Sequence, residues 1–474
     1  MKTRMTALLI AALFVIAALC SCAENKATNE LDAEYGPVSG AGEKAAGTSA
    51  ASGKTDHAEG GDKPSDDAGE TPPVVSPEIS FEAEGGRIID GYFDKPSVLC
   101  MPGPGGEPSD NIQTAPGTLT AGRWSDNNNF VFWKSVLNRN DWYAIGERWG
   151  LFASHRAVFT IKTAEGMLIG GARFTVSDSD GNKLGSAVSD SYGMAFVYYD
   201  IGKGTETSVP ASYTCVYNIG GGEQTVSGAV AALDNGEIGA ELTVEGSLQA
   251  SAKKLDLMFV IDTTGSMGDE LRYIQTELTD VIEKVRQHFE QSVSVRLSVN
   301  FYRDHGDIYV VRSNGFTTDI DAAIAELAKQ CSDGGGDYPE AVDEALADAV
   351  GNHEWDDDAV KLMFFVLDAP PHSDREGTPE RIVENALLAA ERGIRVIPVA
   401  SSGVDTETEL IMRSLAAVTG GTYVFLTNDS GVGGDHLEPT IGDYTVEMLN
   451  ELMIDLITRY LSDISVAATD ANAD

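Results

Sequence analysis

Basic residues are scarce in this 474-residue chain, with 33 Lys and Arg against 74 Asp and Glu and a formal net charge of −41. Binding a nucleic-acid backbone needs clustered cations that displace counterions, so that class of partner is excluded. The same deficit rules out adsorption to an anionic membrane surface through basic side chains. Cysteine is scarce too, at five, and no Cys/His spacing makes a zinc ligand set. No Ser/His/Asp ordering, nucleophile elbow or phosphate loop can be assembled, so the chain is expected to be non-catalytic, with a metal-assisted extracellular hydrolase as the lesser alternative. What is present is 42% hydrophobic residues, ample for packed cores, over a length that calls for two or three domains.

The first residues read as a leader. Lys2 and Arg4 precede the apolar run Ala7 to Leu19, which is too short to span a bilayer. It ends in Leu19-Cys20-Ser21-Cys22, which resembles the lipobox of bacterial lipoproteins. That resemblance implies a signal peptide over 1–21, lipidation of Cys22, and a chain held in the cell envelope by acyl chains alone, at the outer membrane or cell surface. Of the remaining cysteines, Cys100 and Cys215 lie in the same middle region and are the expected disulfide.

Residues 22–80 are rich in Ala, Gly, Ser and acids, a composition that predicts a disordered, self-repelling stalk. Residues 81–250 read as all-β, with alternation at Val158–Lys162 and Ala172–Val176 and turn chemistry at Asp178–Asn182. The stretch Leu168 to Phe196 resembles carboxypeptidase-regulatory-like and other Ig-like β-sandwich modules. Four of the five tryptophans, Trp124, Trp133, Trp142 and Trp149, crowd into one segment of this region. They form either an apolar plug, the favoured reading, or an aromatic platform for a glycan.

From residue 251 to 463 short apolar runs alternate with segments of helical period, the pattern of an α/β doubly wound parallel sheet, and 464–474 reads as a disordered tail. Ligands of such sheets bind beyond the carboxyl ends of the strands. There the first strand ends in Asp262-Thr263-Thr264-Gly265-Ser266, an acid followed by hydroxyls at alternate positions. These are oxygen donors for a hard divalent cation. Gly334-Gly335-Gly336-Asp337-Tyr338-Pro339-Glu340 is a flexible acidic loop, and Asp368 ends a later strand in Leu367-Asp368-Ala369-Pro370-Pro371-His372. All three converge on one edge of the predicted sheet.

These three motifs resemble the metal-ion-dependent adhesion site of von Willebrand factor type A domains, a Rossmann-like fold, in a bacterial and hemicentin-like branch. The resemblance implies Mg²⁺ or Ca²⁺ held by Asp262, Thr264, Ser266, Asp337 and Asp368, and an extracellular or envelope protein as ligand. Asp337 stands where the family has a Thr, and three acids around a +2 ion leave −1. Such a site is expected to hold its metal tightly and to depend little on a carboxylate from the ligand. Asp304, His305, Asp307 and His372 are candidates for a recognition rim or second cation site, with His436 a further candidate; loop-shaping hydrogen bonds are the competing reading.

Overall fold

The computed structural model describes residues 114–202, 208–233, 236–248, 253–289 and 292–462. The leader, the stalk with Cys22, Cys100 and the tail lie outside the described residues. The chain begins with β1 (Thr120–Trp124), α1 (Phe130–Leu137) and α2 (Asn140–Trp149). Eight strands follow: β2 (Arg156–Thr163), β3 (Arg173–Ser177), β4 (Lys183–Val188), β5 (Met194–Tyr198), β6 (Ser212–Ile219), β7 (Gly222–Ala229), β8 (Ala231–Ala232) and β9 (Ile238–Val244). The α/β part then runs β10 (Lys253–Asp262), α3 (Leu271–Phe289), β11 (Val293–Tyr302), β12 (Val311–Arg312), α4 (Ile320–Ala328) and α5 (Val342–Gly351). It closes with β13 (Val360–Leu367), α6 (Thr378–Arg392), β14 (Ile394–Ala400), α7 (Thr406–Thr419), β15 (Tyr423–Leu426), β16 (Glu447–Met448) and α8 (Leu449–Leu461).

The large sheet has the order β12-β11-β10-β13-β14-β15-β1-β16. Its five inner strands, β11, β10, β13, β14 and β15, are parallel, as the alternation of strands and helices predicts. The outer additions are not: β12, β1 and β16 all pair antiparallel, so the sheet is mixed rather than purely parallel. Side chains of β10 alternate between its faces. Leu255, Leu257, Phe259 and Ile261 join a core with α3 and α8, while Met258 and Val260 join one with α5, α6 and α7. Helices on both faces bury the inner strands completely, which explains their unbroken apolar runs.

The tryptophan-bearing segment departs from the all-β expectation. It is largely helical, and its one strand belongs to the large sheet. Glu277, fully buried on α3, accepts hydrogen bonds from the backbone N–H groups of Gly117, Thr118 and Leu119 at 2.7–3.0 Å. That contact delivers β1 to its place between β15 and β16. Gly122 must lack a side chain, since a Cβ there would sit 2.4 Å from the Phe425 ring. Trp133, Trp142 and Trp149 are fully buried in the core that also holds Phe365, Leu410 and Leu415. The Arg413 guanidinium lies over the Trp133 and Trp142 rings and makes a two-point ion pair with Asp126, both side chains being buried. These tryptophans are a plug, and three of the four have no face left for a sugar.

Residues 114–155 are therefore a structural part of the α/β domain, and β2 to β9 are inserted between its two pieces. The insert forms two four-stranded sheets, β5-β2-β9-β8 and β4-β3-β6-β7, around a core in which Phe159 stacks on Phe174 at 4.6 Å. It leans on the far end of α6 and the start of β14, where Arg395 donates to the Val188 carbonyl at 2.7 Å. Cys215 is a free buried thiol in this core, so it is not paired with Cys100. Its place on an inward-facing position of β6, among Phe174 and Tyr217, explains why no partner reaches it. Cys331 is disulfide-bonded.

Candidate metal centre

Asp262 is the last residue of β10, carried to the carboxyl edge by a strand that is buried throughout its second half. Its Oδ1 accepts hydrogen bonds from the Thr264 backbone N–H at 2.8 Å and the Thr264 hydroxyl at 2.7 Å. Its Oδ2 is buried without a partner. Thr264 Oγ1 lies 3.1 Å from Ser266 Oγ, and Ser266 opens to solvent. Asp368, from the end of β13, likewise has a buried Oδ1 with no partner. The strand ends thus bring Asp262, Thr264, Ser266 and Asp368 to one edge.

The glycine loop lies across this edge, and its sequence is dictated by geometry. Gly334, Gly335 and Gly336 all have positive φ, at 80°, 76° and 147°. A Cβ on Gly334 would lie 2.4 Å from the Asp307 carboxylate, and one on Gly335 would lie 2.9 Å from Glu340 Oε1. Asp307 ties the loop to the end of β11 by accepting from Gly335 N–H at 2.9 Å and Asp304 N–H at 3.1 Å. Beneath the loop, Glu340 is buried with its Oε2 unpartnered. The sequence motif contains Glu340 but does not single it out from the acidic loop.

A cleft of about 550 Å³ opens between these pieces, with Ser266, Asp337, Glu340, Asp368, Ser402 and Asp435 among its walls. Asp269 also lines it, so five carboxyl groups face the space, and none of the lining residues is Lys or Arg. Burial pushes Asp262 up to about 6; burial, aided by the charge of Asp262, pushes Asp368 up to about 7. Glu340 is pushed up to about 9, mainly by burial and then by the charges of Asp262, Asp304, Asp368 and Asp307. Carboxylates buried together without a countercharge resist ionisation, and a divalent cation would remove that resistance. The orphaned oxygens of Asp262 and Asp368, with two hydroxyls beside them, fit the oxygen-donor preference of Mg²⁺ or Ca²⁺.

The other expected residues fall into two groups. Asp337 is exposed, and its carboxylate groups with those of Asp304 and the His372 ring as well as lining the cleft. His372 Nε2 lies 2.7 Å from Asp304 Oδ1, and the His305 ring packs 5.5 Å from that of His372. His436 stands apart: its Nε2 is 2.8 Å from Glu270 Oε1 and its Nδ1 is 2.9 Å from Asn428 Oδ1, so it shapes a loop.

The fold is an α/β sheet flanked by helices, with carboxylates and hydroxyls gathered at the carboxyl ends of its strands. Residues 256–428 match the family model of the von Willebrand factor A domain, and the chain carries that domain. A stretch of 217 residues is 26% identical to an ariadne-like RING finger protein of Acanthamoeba polyphaga mimivirus, covering 42% of this chain. The chain spans 20% of that relative's length. Among solved structures, BatB from Bacteroides thetaiotaomicron is similar at 15% identity, over 44% of this chain and 98% of BatB, with a TM-score of 0.30. An aerotolerance-related membrane protein from Bacteroides fragilis is similar at 13% identity over 44% and 98%, with a TM-score of 0.28. Among the described residues no helix is long and apolar enough to cross a membrane.

Proposed function

We propose that this chain is a lipid-anchored envelope protein that binds another protein through a divalent cation, in an adhesion or assembly role and without catalysis. A von Willebrand factor A domain supports the interaction role. The observation that carries the metal reading is the cleft, with five carboxyl groups on its walls and no basic side chain among them. Asp262, Thr264, Ser266 and Asp368 hold the ion, whose part is to order these loops and offer open coordination positions to the partner. Asp337 keeps the surroundings negative after one Mg²⁺ or Ca²⁺ has bound. Bringing in a further carboxylate then costs Coulomb energy, so the partner presents neutral or basic groups. The anchor is Cys22, and the inserted β-sheets are an Ig-like or carboxypeptidase-regulatory-like sandwich.

The test is a melting experiment on the purified chain with Mg²⁺, Ca²⁺ or chelator, beside Asp262→Ala. A cation at a hundred times its Kd contributes about 2.7 kcal/mol of stabilisation. The wild type should melt higher with cation and the variant should not respond. If neither cation raises the wild-type melting temperature, the adhesion mechanism is wrong.

A further inference from the structure

The donors that the first cation leaves unused form a compact set of their own. Asp304, Asp337 and His372 each present a ligand atom, and those atoms all lie within 4.8 Å of one another. Two of the three are not surface groups: Asp304 is 4% exposed and His372 is 7% exposed. They come from different elements, the end of β11, the glycine loop and the turn after β13, so three separate chain segments converge on one point.

Two further side chains indicate that the convergence is not completed by hydrogen bonding within the protein. Glu340, 3% exposed, has an oxygen without a partner, and the carboxylates whose charge disturbs it include Asp304 and Asp307 as well as Asp262 and Asp368. His305 Nε2 is buried and unpartnered beside His372. Asp307, which clips both Asp304 and Gly335 by their backbone N–H groups, fixes the spacing of the two loops.

We infer that Asp304, Asp337 and His372 are a second cation site, beside the Asp262 site. An imidazole with two carboxylates is a donor set for a borderline transition-metal ion such as Zn²⁺ and can also take Mn²⁺, whereas the oxygen-only set at Asp262 favours Mg²⁺, Ca²⁺ or Mn²⁺. Asp304 also sets the imidazole. By accepting a hydrogen bond from, or sharing a metal with, Nε2, it holds the ring toward the glycine loop. The site therefore couples the position of the exposed Asp337 to a bound metal.

The experiment is equilibrium dialysis of the full chain against Zn²⁺ or Mn²⁺ in excess Mg²⁺, for wild type, His372→Gln, Asp304→Asn and Asp262→Ala. Wild type should retain one equivalent of Zn²⁺ under excess Mg²⁺ and bind two of Mn²⁺ without it. His372→Gln and Asp304→Asn should lower Zn²⁺ affinity at least tenfold and leave Mg²⁺ affinity within twofold. Asp262→Ala should lose the Mg²⁺ equivalent and keep the Zn²⁺. If Asp262→Ala keeps both, the first-site reading fails and this one stands. If wild type holds no Zn²⁺ under excess Mg²⁺, or His372→Gln holds it as tightly, the second site does not exist and the Asp304–His372 contact is a structural hydrogen bond. Pulsed electron paramagnetic resonance of the Mn²⁺-loaded wild type keeps the question decidable should the variants fail to fold. Coupling to an imidazole nitrogen is expected, and its absence at two equivalents overturns the proposal.

Discussion

Raising the pH from 5 to 8 should destabilise the metal-free chain, and Mg²⁺ should abolish that slope. In the folded protein Asp262 is held at about 6, Asp368 at about 7 and Glu340 at about 9. In the unfolded chain such carboxyls ionise near 4. Between those limits the folded state binds more protons than the unfolded state. The stability these groups contribute is thus fully present below about pH 4 and is lost as pH rises through the folded values. Each retained proton is worth about 1.4 kcal/mol per pH unit. From pH 5 to 6 the loss lies between one proton's worth, about 1.4 kcal/mol, and three protons' worth, about 4 kcal/mol. At about 2–4 °C per kcal/mol, that is a drop of several degrees in melting temperature.

The other carboxyls with displaced values do not confuse the measurement. Asp348, Asp356 and Asp455 are held below the usual carboxylate range, so they act on acidification, below the window used. Asp190, Asp200 and Glu409 are raised by burial, but they lie away from the cleft and contribute equally with and without cation. The difference between metal-free and Mg²⁺-loaded melting curves across pH therefore isolates the site. Calorimetric titration with Mg²⁺ in buffers of unlike ionisation enthalpy supplies the second reading, with about one to two protons released at pH 6 and fewer at pH 8. Equal pH slopes in the two melting series, or binding heats that ignore the buffer, would refute the argument that these carboxylates meet the ion.

Three more outcomes are expected. Asp126→Ala removes one of the two buried carboxylates paired with Arg413, leaving Glu409 at 3.0 Å, and should cost about 1.5–3 kcal/mol by denaturant unfolding; a loss under 1 kcal/mol would detach residues 114–155 from the α/β domain. Gly335→Ala puts a Cβ against Glu340 at positive φ and should weaken Mg²⁺ binding with a stability cost of about 1–2 kcal/mol; unchanged affinity would show that the loop does not set the cleft. Cys215, whose thiol burial pushes up to about 12, should resist alkylation at pH 8 until denaturant is added; rapid labelling of the native chain would contradict its place in the β-module core.

The helices and strands of the α/β domain were legible because each signals locally. Met267, Leu271, Ile274, Leu278, Val281 and Val285 step along one face of α3 and its lead-in, and all are buried against the sheet. The strand ends carrying Asp262 and Asp368 followed from the same reading, since a doubly wound sheet sends its carboxyl ends to one edge. The role of residues 114–155 was not legible. Nothing in Leu119-Thr120-Ala121-Gly122 states which sheet it will join, because the strand's partners Tyr423–Leu426 lie three hundred residues away in sequence and are named only by geometry. The tryptophans announced burial but not their host.

Asp337 shows the same limit at the scale of one side chain. Sequence motif and family likeness both carried it to the Asp262 site, because a position in a motif states which loop a residue occupies. They cannot state which way an exposed side chain leaves three consecutive glycines at positive φ. In the structure that carboxylate reaches Asp304 and His372 while still facing the cleft. Asp337→Thr therefore separates two roles. If Asp337 serves the first ion, the variant should lower Mg²⁺ affinity and leave Zn²⁺ binding alone. If it serves the pair Asp304 and His372, Zn²⁺ affinity should fall at least tenfold while Mg²⁺ affinity changes by less than twofold, and the geometry argues for this second result. An equal loss of both metals would mean that the two groups of donors act as one site, and their separation would have to be abandoned.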